Sequence, residues 1–126
     1  MNRKHIKEWI EKAEQDYQTI IILSRQKKNL LPDIICYHAH QCAEKYLKGL
    51  LEKHEIKVPK THDLIFFADK LAEISPDLEL IKDILRELNR YAIELRYPGE
   101  SATKAEAKQA VVYIKQIRKV LLEKMD

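Results

Sequence analysis

Three short polar stretches carry side chains that could act on a phosphate group. In the first, four polar residues recur at helical spacing: Gln41, Glu44, Lys45 and Lys48. Further along the chain stand His62, between a threonine and an aspartate, and Arg96, followed by Tyr97 and a proline. A guanidinium can hold two phosphate oxygens at once, and an imidazole can move a proton near neutral pH. The sequence therefore offers groups for phosphate binding and for proton transfer.

Each group also has an ordinary structural interpretation. Lys45 and Lys48 can belong to the solvated face of a helix. His62 can be a residue at a helix start whose ring donates to a carbonyl. Arg96 can neutralise a helix C-terminus or pair with Glu44 across the fold. The residue types alone leave both interpretations open.

A metal site is a second chemistry to consider, because cysteine and histidine alternate at Cys36, His38, His40 and Cys42. On a helix, alternate residues point to nearly opposite sides, so only His38 and Cys42 share a face. Two ligands do not make a structural zinc site. We therefore predict no metal and no cofactor, two free and largely buried thiols, and His40 at the edge of the apolar face.

The elements that must position these groups are all helices. Apolar residues at helical spacing predict a first helix from Ile6 to about Lys27 or Lys28, closed by a left-handed Asn29. A turn at Pro32 is followed by a central helix over about 34–54, with Asp33 as its N-cap. The central helix therefore carries the first polar stretch.

Three more helices follow the central one. Thr61 is the predicted N-cap of the third, which should end near Ser75, and a fourth then continues until Pro98 breaks it. Ser101 or Thr103 is expected to cap the last helix. The predicted fold is all-α, an up-and-down bundle of about five helices in one domain spanning residues 1–126.

Composition narrows the function classes. Only two glycines and four prolines interrupt a chain that is 45% hydrophobic and 34% charged. No run approaches the roughly 18 apolar residues that a membrane span needs, and the basic N-terminus lacks the apolar segment of a signal peptide. A net charge of +3 is too small to predict DNA binding. We expect a cytoplasmic protein without a membrane partner.

The order of three motifs resembles the HEPN domain family: residues 41–48, then Thr61-His62-Asp63-Leu64, then Arg96-Tyr97-Pro98. The resemblance covers nearly the whole chain and implies a helical bundle that commonly dimerises. Small family members are often encoded beside a minimal nucleotidyltransferase, with which they act as a toxin and antitoxin pair. Many members are metal-independent RNases, and others bind nucleotides or serve as non-catalytic partners.

The family's RNase motif is an arginine followed a few residues later by a histidine. Arg96 matches its first half, but Glu100, Ser101 and Ala102 stand where the histidine is expected, and no histidine follows His62. In an up-and-down bundle, the start of the third helix and the end of the fourth meet at one end. We therefore expect His62 and Arg96 to be neighbours, with Lys48 lying toward the same end.

Two functions lead at the level of sequence, ahead of nonspecific nucleic-acid binding through Lys115, Arg118 and Lys119. The first is a nucleotide-associated, protein-binding module that forms a homodimer and pairs with a minimal nucleotidyltransferase. It would bind a nucleotide or phosphate through the first polar stretch and Tyr97. The alternative is an RNase toxin that uses Arg96 and His62. Apolar residues beyond the stripes needed for one core favour association with a partner: Trp9, Ile22, Val112 and Leu122.

Overall fold

A central helix organises the chain, with every other α-helix packed against it. The structure, a computed structural model, describes residues 3–94 and 97–126. Its elements are α1 (Arg3–Ser24), α2 (Pro32–Lys53), α3 (Leu64–Leu71), a 3₁₀ helix (Pro76–Ile81), α4 (Lys82–Glu94) and α5 (Lys104–Met125). No strand occurs within these residues. The predicted all-α bundle of about five helices is confirmed.

Helix α2 is central because its apolar residues are spread around more than half of its circumference. It packs against α1, α3, α4 and α5. Gly49 permits two of these contacts at short range: a Cβ there would lie 3.2 Å from Trp9 Cβ and 3.3 Å from Met125 Cε. Tyr46 and Leu50 are fully buried in the core that the helices share. Little of α2 is left to face solvent.

Thr103 caps α5 as the sequence predicts. Its hydroxyl accepts from the backbone amide of Glu106 at 3.0 Å, while the Glu106 carboxylate accepts from the Thr103 amide at 3.0 Å. This reciprocal pair satisfies two backbone donors that the first turn of a helix leaves open.

Two other predicted caps are wrong. The N-cap of α3 is Asp63, whose carboxylate accepts from the Ile65 amide at 3.0 Å, while the Thr61 hydroxyl accepts from Asp63 N at 3.2 Å. Asp33 lies inside the first turn of α2 and accepts instead from the Ala102 amide at 2.6 Å. Asp33 thus binds a donor from a distant part of the chain, whereas Asp63 caps its own helix locally.

The predicted helix ends are less accurate than the helices themselves. Helix α1 ends at Ser24, before the expected lysines, and Asn29 takes its left-handed conformation (φ 55°) in the following loop. Helix α3 ends at Leu71 rather than near Ser75. Pro76 then begins a 3₁₀ helix that leads directly into α4. The fourth predicted helix is therefore a 3₁₀ turn followed by an α-helix.

The start of α3 meets α4, as the up-and-down topology requires. Asn89 on α4 donates from Nδ2 to the Asp63 carboxylate at 2.8 Å, and its Oδ1 accepts from the Leu64 amide at 2.9 Å. Arg96 lies outside the described residues, so its predicted contact with His62 stays a prediction. In the described part of the chain, no helix is long and apolar enough to cross a membrane.

Both cysteines are free and buried, as predicted. Cys42 donates from Sγ to the Ala13 carbonyl at 3.3 Å, which ties α2 to α1. Burial raises the pKa of the Cys36 thiol to about 12, and it raises the pKa of Cys42 as well. A thiolate is therefore disfavoured at both positions near neutral pH.

Candidate functional site

A buried carboxylate on α2 anchors the candidate site. Glu44 is only 3% exposed. Its Oε1 accepts from Nδ1 of His62 at 2.7 Å, and its Oε2 accepts from Nζ of Lys48 at 3.1 Å. A buried carboxylate is stable when its oxygens are paired and hydrogen-bonded, and here both oxygens have a partner.

His62 is held from two directions yet stays open to solvent. Its Nδ1 carries the hydrogen given to Glu44, because an ionised carboxylate can only accept. The fully buried His40 donates from Nε2 to the His62 backbone carbonyl at 2.8 Å. The His62 side chain nevertheless remains 69% exposed. The geometry therefore fixes the ring and leaves its Nε2 available to a ligand.

A cavity of about 350 Å³ opens beside His62, between α2, the start of α3 and the second half of α4. Its described lining residues are Tyr37, His40, Gln41, Thr61, His62, Asp63, Asn89 and Ala92. They combine one aromatic ring, two side-chain amides, a hydroxyl, a carboxylate and two imidazoles. Such a mixed lining suits a ligand with a flat polar ring and hydrogen-bonding groups.

A second acid on α1 makes the same kind of contact with α2. Asp16 accepts from His38 Nδ1 at 2.9 Å and from Lys45 Nζ at 2.5 Å. The Asp16 side chain is 10% exposed and that of His38 is 28% exposed. This cluster lies in the packed interface between α1 and α2, so it faces a neighbouring helix rather than the cavity.

A family model for the HEPN domain matches residues 6–125. The chain belongs to the HEPN family. Searches of curated proteins and of solved structures found no match to it.

The HEPN domain brings only some of the predicted site residues together. Gln41 and His62 share the cavity, with Glu44 directly behind His62. Lys45 instead forms an ion pair with Asp16. Arg96, the predicted catalytic partner of His62, lies outside the described residues.

Lys48 and Tyr97 are placed differently from the residues that line the cavity. Lys48 is ion-paired with Glu44, and its ammonium group lies 5.3 Å from the centre of the Trp9 ring and 5.8 Å from that of Phe67. Tyr97 is 64% exposed and is not among the described lining residues. Phosphate binding by these two side chains stays a prediction.

The interpretation of Lys45 and Lys48 as a solvated helix face is wrong. Both side chains form ion pairs with buried or nearly buried carboxylates. The physical reason is that neighbouring elements pack against the two lysines: Asp16 of α1 pairs with Lys45, and the Trp9 ring lies beside Lys48. A solvated lysine pays no desolvation cost, whereas these two are stable because each has a carboxylate partner within hydrogen-bond distance.

The alternating cysteines and histidines do not converge. Cys42 donates to a carbonyl of α1, His38 binds Asp16, and His40 binds the backbone of His62. Among the described residues, no group of three or more His, Cys, Asp or Glu is placed to hold a metal ion.

Sequence reasoning missed two important residues of the cavity. The sequence predicts His40 at the edge of the core, whereas it is fully buried and fixes the His62 backbone. For Asn89 the sequence predicts no role. The signal for Asn89 is its position one turn after Leu85 and one turn before Ala92, which places a polar amide at the edge of the apolar face of α4.

Proposed function

We propose that this HEPN protein is a nucleotide-binding and protein-binding module that works as a homodimer with a minimal nucleotidyltransferase in a toxin-antitoxin type pair. The observation that carries the nucleotide part is the cavity beside His62. Tyr37 offers a ring on which a base can stack, and Gln41 and Asn89 offer amides that can hydrogen-bond its edge. His62 offers a donor or acceptor to a phosphate or ribose oxygen.

The position of Arg96 in the sequence supports a phosphate at this end of the bundle. It follows the last residue of α4 by two positions, and Ala92 on the preceding turn lines the cavity. A guanidinium supplied from this segment would complement the neutral amides of the lining. The pair of Arg96 and His62 is therefore the expected phosphate-binding part of the site.

Exposed apolar residues beside the cavity support the dimer. Leu31, Ile34 and Tyr37 follow one another at three-residue intervals and are each more than two-fifths exposed. On α2 this spacing forms a stripe that ends at the cavity. Elsewhere, Ile22 and Val112 from the sequence prediction are exposed, while Trp9 and Leu122 are half-buried. Such surface area favours association with a protein partner.

The nucleotide part is tested by titrating the purified protein with 5′-AMP in a calorimeter. Tyr37→Ala should weaken binding about tenfold, because stacking of a base on an aromatic ring is worth roughly 1–3 kcal/mol. His62→Ala should weaken it too. Phe66→Ala is the matched control, since Phe66 is equally exposed but lies on α3 away from the cavity lining. Equal affinities for all four proteins would refute the site.

The partner part is tested by purifying the tagged protein from its native host under mild conditions. We expect a small nucleotidyltransferase to co-purify and light scattering to give a dimer mass for the isolated chain. A monomer at micromolar concentration together with no nucleotidyltransferase would contradict this part of the proposal while leaving nucleotide binding untouched.

A second candidate function is RNA cleavage, which the Glu44–His62 pair specifically favours. Glu44 holds Nδ1 and so orients the ring, which leaves Nε2 to take the proton from a ribose 2′-hydroxyl. Attack of that oxygen on the adjacent phosphorus would break the bond to the 5′-oxygen, which leaves as a hydroxyl after taking a proton from water, and would give a 2′,3′-cyclic phosphate. Arg96 would stabilise the charge that develops on the phosphate oxygens.

RNA cleavage is tested with cellular RNA in the presence of a chelator. Cleavage by the wild type that is lost in both His62→Ala and Arg96→Ala would establish the enzyme. His38→Ala is the control variant. It removes the histidine that pairs with Asp16 away from the cavity, so it should leave cleavage intact. Absence of cleavage in the wild type would leave only the binding module.

A further inference from the structure

A second cavity lies at a different place on the bundle and has a different character. It measures about 250 Å³ and is enclosed by the end of α1, the loop after it, the start of α2 and the first two turns of α5. Its inner surface is aliphatic, formed by Leu30, Pro32, Ile35, Ala107 and Val111. It shares no described lining residue with the cavity beside His62.

The walls of this second cavity are fixed by hydrogen bonds. The Asp33 carboxylate accepts from the Ala102 amide at 2.6 Å, which joins the beginning of α2 to the residue before the α5 cap. The capping box of Thr103 and Glu106 then sets the direction of the first turn of α5. The cavity is therefore a preformed feature, and a ligand would not have to order its walls.

Cations surround the cavity. Lys104 and Lys108 lie on its rim one helical turn apart, and Arg25, Lys27 and Lys28 lie close in sequence to the lining residues of the loop after α1. All five side chains are exposed, and none forms an ion pair within the described part of the chain. The neighbouring carboxylates of Asp33 and Glu106 are already hydrogen-bonded to backbone amides.

Lys104 and Lys108 repel each other, since like charges four residues apart on a helix are mutually destabilising. An anion placed between them would remove this cost. The aliphatic floor calls for an apolar group next to that anion. The described lining residues include no aromatic ring on which a base could stack, so the surface suits a peptide better than a nucleic acid.

We propose that this surface binds an acidic segment of a partner protein. One aliphatic side chain of the segment fills the cavity against Val111, and carboxylates on either side of it pair with Lys104 and Lys108. The cations of the loop after α1 extend the contact to further acidic residues. This inference does not depend on the nucleotide or RNA proposed for the other cavity.

The probe is a short synthetic peptide with glutamates on both sides of one central leucine, and its binding is followed by fluorescence anisotropy. The double variant Lys104→Gln, Lys108→Gln should bind it about tenfold more weakly, the loss expected for two partly exposed ion pairs. The matched control is Lys115→Gln, Lys119→Gln, an exposed pair with the same spacing on the same helix. It should bind like the wild type.

A second pair of variants tests the aliphatic floor. Val111→Ser should weaken binding of the leucine peptide, whereas Leu80→Ser, at an exposed apolar position on the 3₁₀ helix outside the cavity, should not. A peptide with serine in place of leucine should bind weakly to every variant. Helical circular dichroism shows that each variant is folded.

Three results would overturn the proposal. Equal losses in the two double-lysine variants would mean that only overall charge is recognised. Equal binding of the leucine and serine peptides would mean that the cavity is not used. Tighter binding of a single-stranded oligonucleotide of the same charge, insensitive to Val111→Ser, would mean that the surface is for nucleic acid.

Discussion

Two neighbouring clusters on α2 use the same three residue types, yet only one of them borders the cavity. In each, a nearly buried carboxylate binds a histidine through Nδ1 and a lysine through Nζ: Asp16 with His38 and Lys45, and Glu44 with His62 and Lys48. His38 lies on α2 and points into the packing with α1. His62 comes from the loop before α3, and its ring is more than twice as exposed as that of His38.

This difference shows that a carboxylate in contact with a histidine and a lysine is not by itself a ligand site. A carboxylate that pairs with a lysine and a histidine inside a helix interface joins the helices. The same carboxylate becomes an orienting group when its histidine borders a cavity. The two clusters differ in the element that supplies the histidine: α2 itself for His38, and the loop before α3 for His62.

The largest expected effect is a loss of stability when the buried acid of a cluster is replaced. Glu44→Gln leaves Lys48 charged and nearly buried without a counter-charge, so we expect the free energy of unfolding to fall by about 3 kcal/mol. Urea denaturation measures this change. Glu87→Gln, which alters a partly exposed ion pair on α4, should cost less than about 1 kcal/mol. Comparable losses would show that Glu44 is not the buried anchor described here.

The two histidines should then separate the clusters. His38→Ala removes a hydrogen bond inside the α1–α2 interface and should cost about 1 kcal/mol of stability, whereas His62→Ala should cost less than about 0.5 kcal/mol. For binding of 5′-AMP the order is reversed, with the larger loss in His62→Ala. If the two variants lost the same amount in both measurements, the distinction between the clusters would be refuted.

Helices and core could be predicted from the sequence because periodicity reports directly on burial. Residues such as Ile35, Ala39 and Leu50 repeat at helical spacing and lie in the core. The fate of the polar row could not be predicted in this way. Periodicity shows that Glu44 and Lys45 share a side of α2, but not that Trp9 and Asp16 of α1 cover that side.

The candidate site was predictable only in part for the same reason. His62 and Gln41 could be identified from short motifs, and topology predicted that the start of α3 meets α4. The roles of His40 and Asn89 depend on hydrogen bonds to residues more than 20 positions away. Local spacing contains no information about such partners, so these residues were recognisable only in the folded chain.

Lowering the pH should have a smaller effect on stability, through the interface that α1 forms with α2 and α5. The Arg118 guanidinium, which binds both oxygens of Glu14, lowers the pKa of that carboxyl from its ordinary value of 4.5. A lowered pKa stabilises the fold above pH 4.5, and this stabilisation is lost as the pH falls through the folded-state pKa.

Glu14→Gln should therefore be less stable than the wild type at pH 7, and the difference should shrink on acidification. Denaturant unfolding at several pH values measures it. Glu73→Gln, at an exposed position after α3, is the control and should follow the wild-type profile. A constant difference between Glu14→Gln and the wild type across this range would contradict the linkage.

The last prediction concerns the two thiols, which should be unreactive in the folded protein. Cys42 lies in the interface beside Asp16, and burial raises its pKa and that of Cys36. A thiol reagent at pH 8 should label neither residue in the native state and both in urea. Rapid labelling of native Cys42 would show that this interface opens readily and is not a closed counterpart to the His62 cavity.

The central claim is that the His62 cavity, and not the similar cluster at His38, receives the ligand. Proton–carbon NMR of histidine-labelled protein tests it most directly, because each ring gives its own signal. On titration with 5′-AMP, the signals of His62 and His40 should shift to saturation while that of His38 stays in place. Saturable shifts at His38 with none at His62 would contradict the account.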